Sequence, residues 1–285
     1  MVSRQDASYS HHVLVDPRNK YILIPDLGGD RIRVFTKDPI AIAPIKEIAG
    51  LVTGPGVGPR HAVFKTTKRG ETLLFFNGEL DQNIYSYRVE YTESGLKFTK
   101  ISSIVSVSPE YPATRAPTSE IAISVSLRPL VFILSQPQFA AHDEAAILPR
   151  LHDVYTCIEL PSFRELITDS LTQPDQKLII VSNRDVSFRD SPVFGTEPTD
   201  TISTFAIQKD GSLKLVQLAP SGGWSPRQFS VNKAGDLIAI GHQNNQTVIV
   251  WKRDVASGKI VPEAEGGKIA QVTLTGAVVS TIFDE

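Results

Sequence analysis

Six polar residues of this chain stand beside short apolar runs. They are His11 in Ser10-His11-His12-Val13, Arg60 in Gly58-Pro59-Arg60-His61, Glu79 in Gly78-Glu79-Leu80, Asn183 and Arg184 in Ser182-Asn183-Arg184, and Arg227 in Ser225-Pro226-Arg227-Gln228. A guanidinium stays charged at any physiological pH and grips a carboxylate or phosphate through two parallel hydrogen bonds, so Arg60 and Arg227 suit an anionic small molecule. A glutamate or a histidine nearby can take or give a proton as general base or acid. Each residue alone has a plainer reading. An arginine after proline at a strand start is commonly a surface group or the partner of a nearby carboxylate, Glu79 can cap a sheet edge, and an isolated histidine is more often structural. What raises the set above that reading is recurrence at one kind of position in a repeating unit.

The repeat is a turn rich in Asp, Pro, Asn and Lys that runs into an apolar burst. Its four copies are Asp16 to Ile24, Lys68 to Phe76, Pro174 to Val181 and Asn232 to Ile240. Bursts of this length, rich in Ile, Val, Leu and Phe and bounded by turn formers, read as strands. Two more strands follow each burst: Arg31 to Phe35 and Ile45 to Leu51, Asn83 to Val89 and Leu96 to Ile104, Thr201 to Ile207 and Leu213 to Leu218, then Thr247 to Trp251 and a weaker Lys259 to Val261. One strand precedes each burst, and Asp210-Gly211 marks a hairpin between the last two strands of the third unit. Four-stranded antiparallel units at this period are blades of an all-β propeller. Propeller sites sit at the mouth of the central channel. Asn183 and Arg184 are expected to support that mouth, His61 to pack beside Arg60, and His242 and Gln243 to be weaker channel-facing candidates.

The period breaks once. Tyr21 to Leu73 spans 52 positions and Leu178 to Leu237 spans 59, but Leu73 to Leu178 spans 105. Setting aside residues 125–173, 49 in number, reduces that interval to 56 and joins Ser124 to Pro174-Asp175-Gln176-Lys177, a turn similar to Asp16-Pro17-Arg18-Asn19-Lys20. The segment reads either as a long loop within one blade or as a translated intron; valine codons begin with GT and glutamine codons can end in AG. The intron reading is the preferred one.

The ordered motifs Ser10-His11-His12-Val13, Pro25-Asp26-Leu27-Gly28, Gly58 to Phe64, Gly78-Glu79-Leu80, Ser182-Asn183-Arg184 and Ser225 to Phe229 resemble the lactonase family of seven-bladed β-propellers. That family includes propeller-type 6-phosphogluconolactonases and 3-carboxy-cis,cis-muconate cyclase. The resemblance implies a central site for a small anionic lactone or carboxylate, using His11, Glu79, Arg60 and Arg227 as catalytic residues, with Arg60, Arg227, Arg184 and Asn183 binding substrate. Lactone hydrolysis in the pentose phosphate branch of carbohydrate metabolism is the first expectation. A carboxymuconate-type cycloisomerase and a non-catalytic propeller acting as a binding surface are the alternatives. Seven blades need more chain than this, so a partial propeller of about four to five blades, lacking N-terminal ones, is expected.

Composition narrows the classes further. With 29 Lys+Arg against 31 Asp+Glu, no general attraction to nucleic acid or anionic membrane is expected. The polar stretch Met1 to Tyr9 lacks the apolar core of a secretory signal, and no apolar run is long enough for a bilayer, so a soluble cytoplasmic protein is expected. The single cysteine, Cys157, permits no internal disulfide. Gly54-Pro55-Gly56-Val57-Gly58 lacks the ending of a phosphate loop and reads as a connection between blades. Asp26, Asp30, Glu79, Asp81 and Asp185 lack calcium-ligand spacing, so neither metal nor cofactor is expected.

Overall fold

Each apolar burst becomes the second strand of a four-stranded sheet, and the three later bursts lack alternation because they are buried on both faces. The computed structural model describes residues 4–36, 45–107, 117–124, 176–184 and 199–284. They form four antiparallel sheets. In chain order the strands are β1 (Leu14–Val15), β2 (Tyr21–Asp26), β3 (Arg31–Thr36) and β4 (Lys46–Val52); β5 (Pro59–Thr66), β6 (Thr72–Gly78), β7 (Asn83–Thr92) and β8 (Gly95–Val105); β9 (Thr118–Ile123), β10 (Leu178–Asn183), β11 (Thr201–Ile207) and β12 (Leu213–Pro220); and β13 (Pro226–Val231), β14 (Leu237–His242), β15 (Thr247–Lys252) and β16 (Lys268–Thr273). Successive sheets pack face to face, with β5, β9 and β13 meeting as innermost strands, which is the blade arrangement of a propeller.

Strand periodicity divides the core between the faces. From β6, Leu74 and Phe76 pack toward the first sheet with Leu23, Ile32 and Val34. Leu73 and Phe75 pack toward the third sheet with Ile179, Val181 and Phe205. From β10, Ile180 turns instead to Ile238, Ile240, Ile249 and Trp251 of the fourth sheet. Every residue of β6 and β10 is buried, so the sequence shows a solid apolar run there.

The expected turns form as read. Gly211, at φ +90°, closes the β11–β12 hairpin, and Asp210 Oδ1 accepts from Ser212 N–H at 2.9 Å and from its hydroxyl at 2.7 Å. Between β4 and β5, the two carboxylate oxygens of Asp30 accept from Gly56 N–H and Gly58 N–H, each at 2.8 Å, which shapes the glycine-rich connection.

One strand assignment needs correction. The last strand of the fourth sheet is Lys268–Thr273, with Thr273 opposite Thr247, and not Lys259 to Val261. The earlier stretch is the return leg of a tight excursion in which Asp254 N–H donates to Lys259 O at 2.8 Å. Pro262, which has no N–H for a ladder, ends it. Gln271 to Thr273 are thus part of this outer strand. Ala277 to Phe283 forms no strand; Thr281 N–H and hydroxyl reach Gln228 Oε1 instead.

In the third sheet Ser124 faces Leu178. Ser124 N–H donates to Leu178 O at 2.9 Å, and Leu178 N–H donates to Ser124 Oγ at 3.2 Å. The same hairpin closes at Asp16 and Tyr21 in the first sheet and at Asn232 and Leu237 in the fourth. Residues 125–173, read as an insertion, lie outside the described residues.

Candidate active site

The functional side chains owe their position to one irregularity repeated in every sheet. On the inner strand of each blade, just before regular pairing sets in, one extra residue is inserted. Pro59 faces Gly78 and Ala62 faces Phe76, so Arg60 and His61 stand against Asn77 alone. Thr118 faces Asn183 and Ile121 faces Val181, so Ser119 and Glu120 stand against Ser182. Pro226 faces His242 and Phe229 faces Ile240, which places Arg227 and Gln228 against Gly241. In the first blade Ser10 faces Asp26 and Leu14 faces Leu23, which gives His11 and His12 the same extra length. A bulge re-aims the side chains it carries. His11, Arg60, Ser119 and Arg227 are therefore equivalent positions, and so are His12, His61, Glu120 and Gln228. A third equivalent set lies one residue beyond the facing positions: Leu27, Glu79, Arg184 and Gln243.

Local chemistry holds these bulges open. Asn77 Oδ1 accepts from His61 N–H at 2.9 Å, and its amide donates to Thr118 Oγ at 3.0 Å and Ser119 O at 3.2 Å. Ser182 Oγ accepts from Glu120 N–H at 2.9 Å. Left-handed residues lead into two bulges, Gly58 at φ +60° and Ser225 at φ +59°. A Cβ on Gly58 would stand 2.6 Å from Leu80 Cγ, so that entry also requires glycine for space.

Glu79 is the centre of the site. Only 1% of it is exposed. Its Oε1 meets Arg184 Nη2 at 2.6 Å and Arg4 Nη1 at 2.5 Å, and its Oε2 meets Arg60 Nε at 2.7 Å. The Arg60 contact lies off the N–H axis, which makes it an ionic contact rather than an aligned hydrogen bond. Arg60 itself is 3% exposed and donates through Nη1 to Ser119 O. Ser119 in turn donates its hydroxyl to Arg227 O at 2.7 Å, so it links the two bulge arginines. Arg227 donates to the neutral Gln243 Oε1 at 3.3 Å and has no carboxylate partner among the described residues. It is the guanidinium of the cluster without a counter-charge among the described residues.

Electrostatics separate the protonation states. Burial works to raise the Glu79 pKa, but Arg184, Arg60 and Arg4 outweigh it and hold the carboxyl below its ordinary value. Burial lowers Arg60 to about 10, with Glu79 opposing, and lowers Arg184 as well. His11 is lowered to about 4, first by burial and then by Arg60, and it also feels Glu79, His61 and Arg227. At neutral pH the site therefore holds an ionised glutamate, several guanidinium groups and a neutral imidazole.

Of the residues singled out in the sequence, the structure gathers Arg60, Glu79 and Arg184 into direct contact and sets His11 and Arg227 within electrostatic reach of them. Asn183 is turned elsewhere. Its amide donates within its own sheet to Ser203 Oγ at 2.8 Å and Thr201 Oγ at 3.1 Å, because the residue preceding Arg184 on an alternating strand faces the other way. The structure does not bring it into the Glu79 cluster. His242 is fully buried between Ser221 and Thr247 hydroxyls, a structural position. Asp26 and Asp30 organise turns, and no group of His, Cys, Asp or Glu among the described residues could hold a metal ion.

Sequence reasoning missed Arg4, Ser119 and Glu120. Nothing local marks Arg4. Ser119 and Glu120 are legible only by aligning the inner strands on their bulges.

A family model described as lactonase, 7-bladed β-propeller matches residues 1–132 and 143–274. The chain belongs to this family. A protein of Arthroderma benhamiae named "Probable 6-phosphogluconolactonase" is 26% identical over 267 residues, covering 92% of this chain and 51% of the relative. A 6-phosphogluconolactonase of Formosa agariphila is 23% identical, covering 90% of this chain and 54% of the relative. The chain thus spans about half the length of the curated relatives it matches. The fold is shared with a Lactobacillus plantarum protein (22% identity, TM-score 0.66, 97% of this chain and 58% of the other). It is shared too with the Pseudomonas aeruginosa periplasmic gluconolactonase (19% identity, TM-score 0.65, 96% of this chain and 56% of the other). No helix among the described residues is long and apolar enough to cross a membrane.

Proposed function

We propose that the Glu79 cluster is a lactone-hydrolysing site for an anionic sugar lactone of the 6-phosphogluconolactone type. The observation that carries the reading is a buried carboxylate neutralised by three guanidinium groups beside a fourth, Arg227, that has no counter-ion among the described residues. An anionic substrate supplies the missing charge. Arg227 grips its phosphate or carboxylate, and Arg60, fixed by Glu79 and by Ser119 O, polarises the lactone carbonyl toward the oxyanion that water attack creates.

The two groups expected to share acid–base work have different environments. Glu79 is committed to its arginines, and protonating it would leave Arg60 and Arg184 buried against a neutral partner. Its role is to hold them. His11 is neutral at physiological pH and free to accept a hydrogen bond from the attacking water. The cytoplasmic, pentose phosphate setting belongs to the same proposal.

The test is hydrolysis of 6-phosphogluconolactone by the purified chain, run beside ultraviolet loss of carboxymuconate. Lactone turnover that falls with Arg227→Ala is expected. Carboxymuconate turnover alone would replace hydrolysis by cycloisomerisation, and failure of both with monodisperse protein would leave a binding surface.

A further inference from the structure

Hydrolysis needs a group that takes a proton from water and returns it to the ring oxygen, and neither His11 nor Glu79 is well matched to that work. A base so far below neutrality has little driving force for proton abstraction, and Glu79 is saturated by arginines. The second residues of the bulges offer another pair. His61 Nδ1 lies 2.7 Å from Glu120 Oε1, across two adjacent blades. Glu120 is fixed from its own strand, since Ile121 N–H donates to the same oxygen at 3.0 Å. The His61 ring is stacked on His12 at 4.9 Å between centroids and 15° between planes. His12 is itself oriented by Ala62 N–H, which donates to its Nδ1 at 3.2 Å. The ring of His61 is thus held on its edge by a carboxylate and on its face by a second imidazole.

With the carboxylate on Nδ1, the proton of neutral His61 sits on Nδ1 and the lone pair is on Nε2. Nε2 makes no hydrogen bond among the described residues, and the side chain is 16% exposed. Arg60 precedes it in the same bulge, and His11 lies within electrostatic reach.

We propose that His61, oriented by Glu120, is the proton-transferring residue of this site. His61 Nε2 takes a proton from water as the water oxygen bonds to the lactone carbonyl carbon. Glu120 stabilises the resulting imidazolium. The same proton passes to the ring oxygen as the carbon–oxygen bond of the lactone breaks, and the hydroxy acid leaves. No other reactant is needed. The inference rests on the lactone-hydrolase reading.

Three measurements test it on the whole chain: hydrolysis of 6-phosphogluconolactone, binding of 6-phosphogluconate by calorimetry, and nitrogen-15 spectra of the histidine rings. In the native protein the His61 proton should be on Nδ1. Glu120→Gln and His61→Ala should each lower kcat by about 100-fold, the lower range for general acid–base catalysis, with product affinity changed less than about threefold. Added imidazole should restore turnover to His61→Ala, which a merely structural role would not allow. A native chain that does not hydrolyse the lactone overturns the reading and the inference together. Native hydrolysis with unimpaired variants, or with the His61 proton on Nε2, overturns the inference and leaves the reading standing.

Discussion

Replacing Glu79 by glutamine removes one charge and keeps the shape, so its effect isolates the electrostatic role of the cluster. Arg60 is 3% exposed and ion-paired to Glu79, and Arg184 is part-buried against the same carboxylate. Removing one partner of a buried pair typically costs about 3–5 kcal/mol, because the other charge stays out of water uncompensated. Two guanidinium groups lose their partner here, but Arg4, with 46% of its side chain exposed, can turn to solvent and adds little. A loss near 4 kcal/mol is a large part of the ~5–15 kcal/mol of a typical domain and lowers its Tm by roughly 10 °C. Calorimetry of Glu79→Gln measures it directly, and adding Arg60→Met should recover part of the loss. The acid limb gives a second readout. The folded pKa of Glu79 lies below its unfolded value, so its stabilisation is present above about pH 4.3 and is lost as pH falls through the folded value. The native protein should therefore lose more stability on acidification than Glu79→Gln does. A Tm within about 2 °C of native, together with parallel acid limbs, would refute the account of Glu79 as the anchor of the arginines.

Arg227→Ala should raise KM for a phosphorylated lactone by roughly 10- to 100-fold, the effect of losing one charge-assisted contact, with Arg227→Lys between the two; steady-state kinetics decide it. His11, His12 and His242 have pKa values lowered to about 4, so all three should stay neutral to near pH 5 in proton NMR titrations. Because their folded values lie below the unfolded one, their contribution to stability is present above about pH 6.5 and declines as pH falls toward 4. Deleting residues 125–173 should preserve the pairing of Ser124 with Leu178 and shorten their connection from residues 125–177 to 174–177. Loop-closure entropy then favours folding by about 2 kcal/mol, visible as a higher Tm; a collapse of expression would count against the segment being foreign.

The three later blades were legible because their second strands are buried on both faces and read as solid apolar runs, as Leu73 to Phe76 and Leu178 to Val181 do. The fourth blade misled at its outer strand. Lys259 to Val261 carries apolar residues because Ile260 is buried in the core there, whereas the true strand Lys268–Thr273 is exposed along most of its length. Arg60, Glu79 and Arg227 were legible as charges recurring beside apolar runs. The pairing of Glu79 with Arg184 was not, since the two meet across 105 positions of sequence. Glu120 was hidden for a different reason: it lies within a continuous Ser119-Glu120-Ile121-Ala122 strand, where only the bulge turns it toward His61.

The repeated bulge also sets the charge of the site. Positions equivalent to one another carry His11, Arg60, Ser119 and Arg227, and only two of the four are cations. Ser119 contributes its carbonyl to Arg60 and its hydroxyl to Arg227 O, so it holds both arginines without adding charge. An arginine there would have brought a further guanidinium against Arg60 with Glu79 already shared three ways. Among the described residues, the guanidinium groups of Arg4, Arg60, Arg184 and Arg227 stand around the cluster against the carboxylates of Glu79 and Glu120, an excess of two positive charges. His11 and His12, lowered to about 4, add none at neutral pH. An excess of positive charge attracts a phosphate dianion more strongly than a singly charged carboxylate or a neutral sugar lactone. The proposed choice of a phosphorylated lactone over a neutral one rests on this charge balance.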